Sequence, residues 1–506
     1  MKARNLFLSL CAFAAICSCS KEIEPGVKDS EVLAEDTFIK INIAAPSFAS
    51  KGTDGGTEAG TAAEHAVKNV MLAFFASNGE FIETKEYSDF TWTESANSNV
   101  EYVSSINVVL QGKTIVPRQV VAILNYTPAL KTAVNGVTSR SALYNLVSEN
   151  PVSEIDGDKY FVMTNSAYLE GGAAVYYSQI ADSHMYTGTE APAGYKPLDV
   201  YVERVAAKVS VESNATAAIK TITLHSGADL HYYPAITGVC LTSTADKSFL
   251  LKHIHDYSSV AGWTWPFIRW NDPTNYRSYW ATTNTDSFTK VSYEQIGVET
   301  DWTRYYNENT SHANHTQLLV AATIKQAADA VTMSPSDPSI GDFVKFGPTY
   351  YTAADFLTSV ANEIAALGVK VGGANITKDH LAIKYTTGYY SKVTLADALV
   401  LDDESKRSAA NAKLADYEDI LFWKDGKAYF FTHVEHFGPD AGVNAFGMVR
   451  NHHYDIAINS ITGLGTPVNN EIVEITPEKP TDLDYNLAAK INILTWKVVR
   501  QTVDLN

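Results

Sequence analysis

The sequence predicts a mainly β protein, built as paired β-sandwiches with a few inserted helices. Three observations predict it. Short runs in which apolar and polar residues alternate recur from end to end. The chain holds 28 Tyr and 20 Phe, many beside Val, Ile and Thr, which suits half-buried pleated surfaces. Only two or three stretches show helical spacing, and they do not alternate with strands as a βαβ fold requires.

Taken in order, the first residues read as an export signal. Lys2 and Arg4 give a basic start, and residues 6–16 form an apolar run of 11, too short to span a bilayer as a helix. Ile16-Cys17-Ser18-Cys19 follows, placing an aliphatic and a small residue where a lipoprotein signal peptidase reads them. Residues 1–18 are thus a signal peptide and Cys19 the lipidated residue. Cys17 is the alternative acceptor, and an ordinary cleaved signal the other reading. No later stretch is apolar enough to cross a membrane as a helix, so the lipid is the expected tie to the outer membrane.

Residues 21–36 are polar and acidic, a tether. In residues 37–43 Ile39, Ile41 and Ile43 alternate with polar residues, which places them on one strand face. Residues 50–61 (SKGTDGGTEAGT) have almost nothing to bury and should be exposed and easily cut. Lys51 is the only basic residue there, so Lys51-Gly52 is the expected processing bond and 19–51 the propeptide with a removable strand. Strand signals follow at 67–75, 106–109, 119–126, 161–167 and 198–211, with a short helix at 141–148. Alternation breaks near Arg204 and Val205, which places a boundary between an N-terminal domain, 52–203, and a C-terminal domain, 204–465. The second half carries strand signals at 221–224, 236–243, 429–434 and 454–461. Phe356, Val360, Ile364 and Leu367 give helical spacing over 355–367, and 408–419 is a second helix candidate. Residues 466–485, with Pro467, Pro477 and Pro480, read as an extended linker. The chain then closes on one long strand signal, 487–505, whose apolar phase flips at Leu494 and again at Val499, as bulges or twist would cause.

Composition narrows the function. A formal net charge of −18 repels nucleic acid. With Cys11 and Cys17 in the signal and Cys19 lipidated, only Cys240 remains, so no intrachain disulfide can form. No nucleophile elbow, HExxH, P-loop or paired CxxC occurs, so no enzyme is expected and neither a cofactor nor a metal site is assigned. His253 and His255, His433 and His436, and His452 and His453 form three clusters that read better as surface or core histidines than as zinc ligands. Arg204 and Arg450 read as partly buried, paired arginines. The aromatic run Trp263, Trp265, Phe267, Trp270, Tyr276, Tyr279 and Trp280 reads as core packing first. Its alternative is a glycan-stacking platform on a monomeric surface lipoprotein.

The two ends carry the function. Lys490-Ile491-Asn492-Ile493 repeats Lys40-Ile41-Asn42-Ile43 with the same in/out pattern. Two segments of one pattern can fill one groove by strand addition at an open sheet edge. Cutting after Lys51 frees the strand of Ile39, Ile41 and Ile43, and the tail of a second subunit can replace it. The donor residues are Ile491, Ile493, Leu494, Trp496, Val498, Val503 and Leu505. Burying five or six such side chains contributes on the order of 10 kcal/mol before entropy. Head-to-tail contacts that do not close into a ring propagate as a filament of identical subunits. The competing reading makes both segments ordinary edge strands of one sandwich.

The chain resembles the Bacteroidales fimbrillins, nearest the Mfa-type subunits of minor-fimbria shafts. The resemblance rests on CSKE at 19–22, FASKGTDG at 48–55, VVAILN at 120–125, VYVERVAAKVSV at 200–211, YRSYW at 276–280, MVRNHHYDIAINSI at 448–461 and ILTWKVVRQTVDL at 493–505. It implies two transthyretin-like Greek-key β-sandwich domains, export as an outer-membrane lipoprotein, and removal of an N-terminal strand by a trypsin-like protease. It further implies donor-strand exchange with identical subunits, fimbrial tip and anchor subunits as partners, and adhesion to host glycans or proteins. The resemblance implies cleavage after arginine, as in family members of the best-studied kind, whereas Lys51 holds the matching position here. Because the chain keeps both end segments, it is expected in the shaft.

Overall fold

The alternation that marks the first strand also decides where it lies. The computed structural model describes residues 37–45, 60–94, 102–110, 115–170, 172–187, 190–254, 271–272, 277–278, 280–281, 286–436, 446–494 and 499–501. Cys19, Lys51, Gly52, Trp496, Val498, Val503 and Leu505 lie outside them, as does the aromatic run except Trp280.

In the first half β1 (Thr37–Ala45), β2 (Val70–Phe75), β3 (Phe81–Tyr87), β4 (Tyr102–Leu110), β5 (Gln119–Leu124), β6 (Met163–Asn165), β7 (Met185–Thr187) and β8 (Leu198–Arg204) belong to one curved ten-stranded sheet. Its order is β3-β2-β5-β6-β8-β1-β4, with Thr93–Glu94 beyond β4, β7 also pairing β1, and Ser178–Gln179 pairing β5. β8 serves two neighbours. Its first residues run parallel to β1, from Leu198 opposite Ile41 to Tyr201 opposite Ala44, and its last three run antiparallel to β6. One face gathers Ile39, Ile41, Ile43, Leu72, Phe74, Val108, Val120, Leu124, Val200 and Val202 into a core. The opposite face of β2 and β5 buries Met71, Phe75, Val121 and Ile123, together with Leu250, Leu251, Ile254 and Val449 from the second half. Strands buried on both faces explain the continuous apolar runs at 70–75 and 120–124. Two short helices decorate this half: α1 (Ala62–His65) and α2 (Pro128–Asn135). A third, α3 (Arg140–Tyr144), is the helix expected at 141–148, cut short because Val147–Ser148 pairs as a strand.

The second half is two five-stranded sheets face to face. Along the chain it comprises β9 (Ala207–Ala217), β10 (Lys220–Thr223), β11 (Asp229–Thr242), β12 (Trp302–Tyr306) and β13 (Gln317–Gln326). An insertion follows with β14 (Phe343–Phe346), β15 (Thr349–Thr352), α4 (Ala353–Ala365), β16 (Leu381–Tyr385), β17 (Tyr390–Leu395), α5 (Arg407–Leu414) and β18 (Ile420–Trp423). The chain resumes with β19 (Lys427–His433), β20 (His453–Gly463), β21 (Thr466–Pro467), β22 (Tyr485–Leu494) and β23 (Val499–Gln501). One sheet has the order β12-β9-β20-β22-β23 and the other β10-β11-β13-β19-β21. Val209, Val211, Ile456, Ile458, Leu487 and Ala489 of the first interlock with Leu241, Leu318, Val320, Ala322 and Phe430 of the second. β10 stops opposite Tyr232, so among the described residues β11 has no second strand partner at Pro234, which that edge accommodates. The insertion forms its own five-stranded sheet with α4 and α5 on one face and a separate core. Phe356, Val360 and Ile364 face inward as their spacing predicts, but α4 ends before Leu367, which is exposed.

Two expectations need correction. Residues 466–485 are not a free extended linker: Val468, Ile475 and Leu483 are buried, and the Ile475 N–H donates to Val291 O at 2.9 Å. The tail is not one long strand. β22 ends at Leu494, and β23 runs back antiparallel, with Ile491 opposite Gln501 and Ile493 opposite Val499. The phase flip at Leu494 falls at the end of β22.

Candidate strand-exchange site

β1 is an interior strand, not an edge. On one side it pairs antiparallel with β4 over its whole length, from Thr37 opposite Leu110 to Ala45 opposite Tyr102. On the other side Thr37 to Ile39 pair with β7, and Ile41 to Ala44 with β8. Lys40 falls in the gap between those two neighbours. Its backbone N–H donates to Tyr195 Oη at 2.9 Å, and that hydroxyl donates to His184 O at 2.6 Å. The backbone of β1 is thereby served along both edges.

Ile39, Ile41 and Ile43 are completely buried, and at typical transfer values the three contribute about 5–9 kcal/mol. On the other face, Asn42 Nδ2 donates to Asp199 Oδ1 at 2.9 Å, and Ser105 Oγ donates to Asn42 Oδ1 at 2.7 Å. Phe38 stacks on Tyr186 of β7, ring centroids 5.6 Å apart. Removing β1 would open a slot floored by apolar side chains and walled by two rows of unpaired backbone groups.

The chain downstream is held firmly. Thr61 and Glu64 form a capping box on α1. The Glu64 carboxylate takes an ion pair from Lys208 at 3.0 Å and a hydrogen bond from Tyr305 Oη at 2.6 Å, and its backbone O accepts from Arg204 Nε at 2.7 Å. Burial opposes ionisation of Glu64, but Tyr305, the Thr61 N–H and Lys208 outweigh it and hold the carboxyl at about 2. Gly60 fits there because a Cβ would come within 2.7 Å of Arg204 Nη2. The region from Gly60 onward is thus fastened to β8, β9 and β12. The Thr-x-x-Glu spacing was the readable signal for this anchor, and the Gly-rich run before it conceals it.

The described part of the tail pairs within its own chain. β22 is antiparallel to β20 from Tyr485 opposite Gly463 to Leu494 opposite His453. Leu487 and Ala489 are buried in the second sandwich, and the proposed donors Ile491 and Ile493 stand opposite Ile456 and Tyr454. Leu494 is the last residue of β22. Both copies of the Lys-Ile-Asn-Ile tetrapeptide are therefore β-strand, one in each half.

The other candidates disperse. His253 stacks between Tyr144 and Phe249 and bonds Tyr144 O at 2.7 Å, while His255 lies outside the described residues. His436 is fully buried with Nδ1 2.7 Å from Tyr454 Oη, and His433 lies against His315. His452 Nδ1 is 2.8 Å from Arg450 O, and His453 Nε2 is 2.8 Å from Ser210 Oγ. Among the described residues no cluster of His, Cys, Asp or Glu has metal-ligand geometry. Trp280 is buried, which removes it from any glycan platform. Arg450 is completely buried against Glu308, and Arg204 bonds Asn451 Oδ1 at 3.2 Å.

Against this geometry stand the comparisons. A family model described as the major fimbrial subunit protein type IV, fimbrillin, C-terminal, matches residues 422–502. Residues 422–502 are thus similar to the C-terminal region of the fimbrillins. The fimbrillin match runs from β18 through β19, β20 and β22 to β23, so it contains the whole tail hairpin and the strand it docks on. No curated protein sequence matches the chain. Among solved structures, a fimbrilin from Porphyromonas gingivalis W83 overlays this chain at 12% identity and TM-score 0.36, covering 91% of this chain and 98% of that one. A fimbrial assembly protein from Parabacteroides distasonis ATCC 8503 overlays at 13% identity and TM-score 0.30, covering 58% of this chain and 83% of that one. The fimbrial anchor protein Mfa2 from Porphyromonas gingivalis overlays at 9% identity and TM-score 0.25, covering 91% and 99%.

Proposed function

We propose that this chain is the structural subunit of a cell-surface fimbria and polymerises by protease-triggered strand exchange. The observation that supports it above all is the placement of β1. A strand with three fully buried isoleucines lies inside the first sheet, its tetrapeptide recurs in the tail, and a firm anchor at Glu64 follows it. Cleavage after Lys51 turns β1 from part of the chain into a ligand that can leave. The tail hairpin then opens from Lys490 outward, while Leu487 and Ala489 keep its root in their own core. The freed segment enters a neighbour's slot parallel to β8 and antiparallel to β4. Because the leaving and entering strands share a tetrapeptide, the exchange is close to neutral per contact, and loss of β1 by dilution drives it.

In this reading residues 52–203 and 204–465 are the two domains, and Cys19 anchors the precursor in the outer membrane before processing. The partners are identical subunits, tip and anchor subunits, and a trypsin-like protease, and the assembled fimbria serves adhesion. The test is direct. The full chain is digested with a trypsin-like protease and examined by electron microscopy, beside a chain ending at Ala489. Filaments from the full chain and none from the truncated one are expected. Filaments from both would overturn the tail's role.

A further inference from the structure

One residue in the slot has a job that neither cleavage nor burial explains. The second edge of β1 is made by two strands of opposite direction, β7 antiparallel and β8 parallel, and among the described residues no strand residue faces the join. Tyr195 fills that join by accepting the Lys40 N–H. Its own position is fixed from two sides: the hydroxyl donates to His184 O just before β7, and the ring packs edge-on against Tyr186 with centroids 4.8 Å apart. The slot therefore offers a strand acceptor at every N–H on that edge except one, and at that one it offers a phenol oxygen at a fixed height.

A strand entering the slot one residue out of phase would carry its apolar side chains to the wrong face. It would also present a carbonyl or a misplaced N–H at the phenol. In the tail, the residue that matches Lys40 within the repeated tetrapeptide is Lys490. We propose that Tyr195 is a register pin: it receives the backbone N–H of Lys490 from the incoming strand as it receives that of Lys40 from β1. This rests on the exchange reading above, and it names the residue that selects among registers. The recognised chemistry is a backbone amide at one position, so the partner is a second copy of this chain whose tail carries the tetrapeptide in phase.

The test is a double-mutant cycle between protein and peptide. Processed full chain, as wild type or Tyr195→Phe, is titrated with a labelled peptide of residues 485–501. A second peptide replaces the Lys490 amide by an ester, which removes the N–H and keeps the shape. Matching leader peptides of residues 37–45, amide and ester at Lys40, are run in parallel. On wild-type protein the ester is expected to weaken binding of either peptide about fivefold to tenfold, the size of one hydrogen bond. On Tyr195→Phe the ester should cost less than twofold. A tail peptide that binds with no coupling between Tyr195 and the Lys490 amide overturns the register assignment while leaving exchange intact. A leader peptide that couples while the tail peptide does not bind refutes the exchange reading instead. The ester arm on wild-type protein needs no mutant to fold.

Discussion

Replacing Ile41 by Ala probes the leader strand at its centre. Ile41 is fully buried, opposite Ile106 on one side and Leu198 on the other, with Ile39 and Ile43 beside it on the same face. The neighbours belong to a continuous sheet and cannot collapse into the space, so the loss should fall within the 2–5 kcal/mol seen for large-to-small core changes, about 3 kcal/mol. In the uncut chain this lowers the stability of the first half and its melting temperature by several degrees. After cleavage the same loss appears as faster departure of the leader, roughly 150-fold at about 3 kcal/mol. The assay labels the leader, cleaves the chain, and follows loss of the label from the protein under dilution. Lys40→Ala, whose side chain is half-exposed on the other face, should change that rate less than about threefold. Equal acceleration by both variants, or none by Ile41→Ala, would refute the claim that the isoleucine face holds β1.

Three further outcomes follow from buried groups elsewhere. Burial pushes the Glu435 carboxyl up to about 7. Its folded value thus exceeds the unfolded one near 4.5, so its contribution to stability is fully present below about 4.5 and is lost as pH rises through about 7. Glu435→Gln should match wild type near pH ~4.5 and exceed it by on the order of 2 kcal/mol above pH ~8 in urea titrations. Lys252 and Glu203 form an ion pair at 3.1 Å with both side chains fully buried. Lys252→Met should cost about 3–5 kcal/mol, and adding Glu203→Gln should restore much of it, as thermal melts of the two variants will show. Gly463 sits at φ +88°, where an added Cβ would come within 2.6 Å of the Tyr485 Cβ. Gly463→Ala should therefore loosen the root of β22 by about 1–3 kcal/mol, read as lost amide protection over 485–494.

What the sequence makes legible is local. β1 was readable because Ile39, Ile41 and Ile43 alternate over a half-polar strand, and α4 because Phe356, Val360 and Ile364 recur at helical spacing. Strand β13 was not readable, since QLLVAATIKQ is buried almost throughout and shows no alternation. The segment 466–485 misleads because its prolines and acids suggest an open linker, whereas Val468, Ile475 and Leu483 are spaced widely enough to dock singly along the body. The Lys252–Glu203 and Arg450–Glu308 pairs join residues far apart in sequence, and no local pattern announces them. Tyr195 is hidden for the same reason. It belongs to no strand or helix, and its role exists only because β7 and β8 meet β1 end to end.

The central claim is that the tail of one subunit occupies the leader's place in the next. Within the full chain Asn42 stands opposite Ser105, whereas Asn492, its counterpart in the tail, stands opposite Asp455. Opposed residues in an antiparallel pair are close enough for a disulfide. The chain carrying Ser105→Cys and Asn492→Cys should therefore stay monomeric before processing, and after processing under mild oxidation it should give a ladder of covalent oligomers on non-reducing gels. Processed, filament-forming chain that yields no cross-linked ladder would contradict the account.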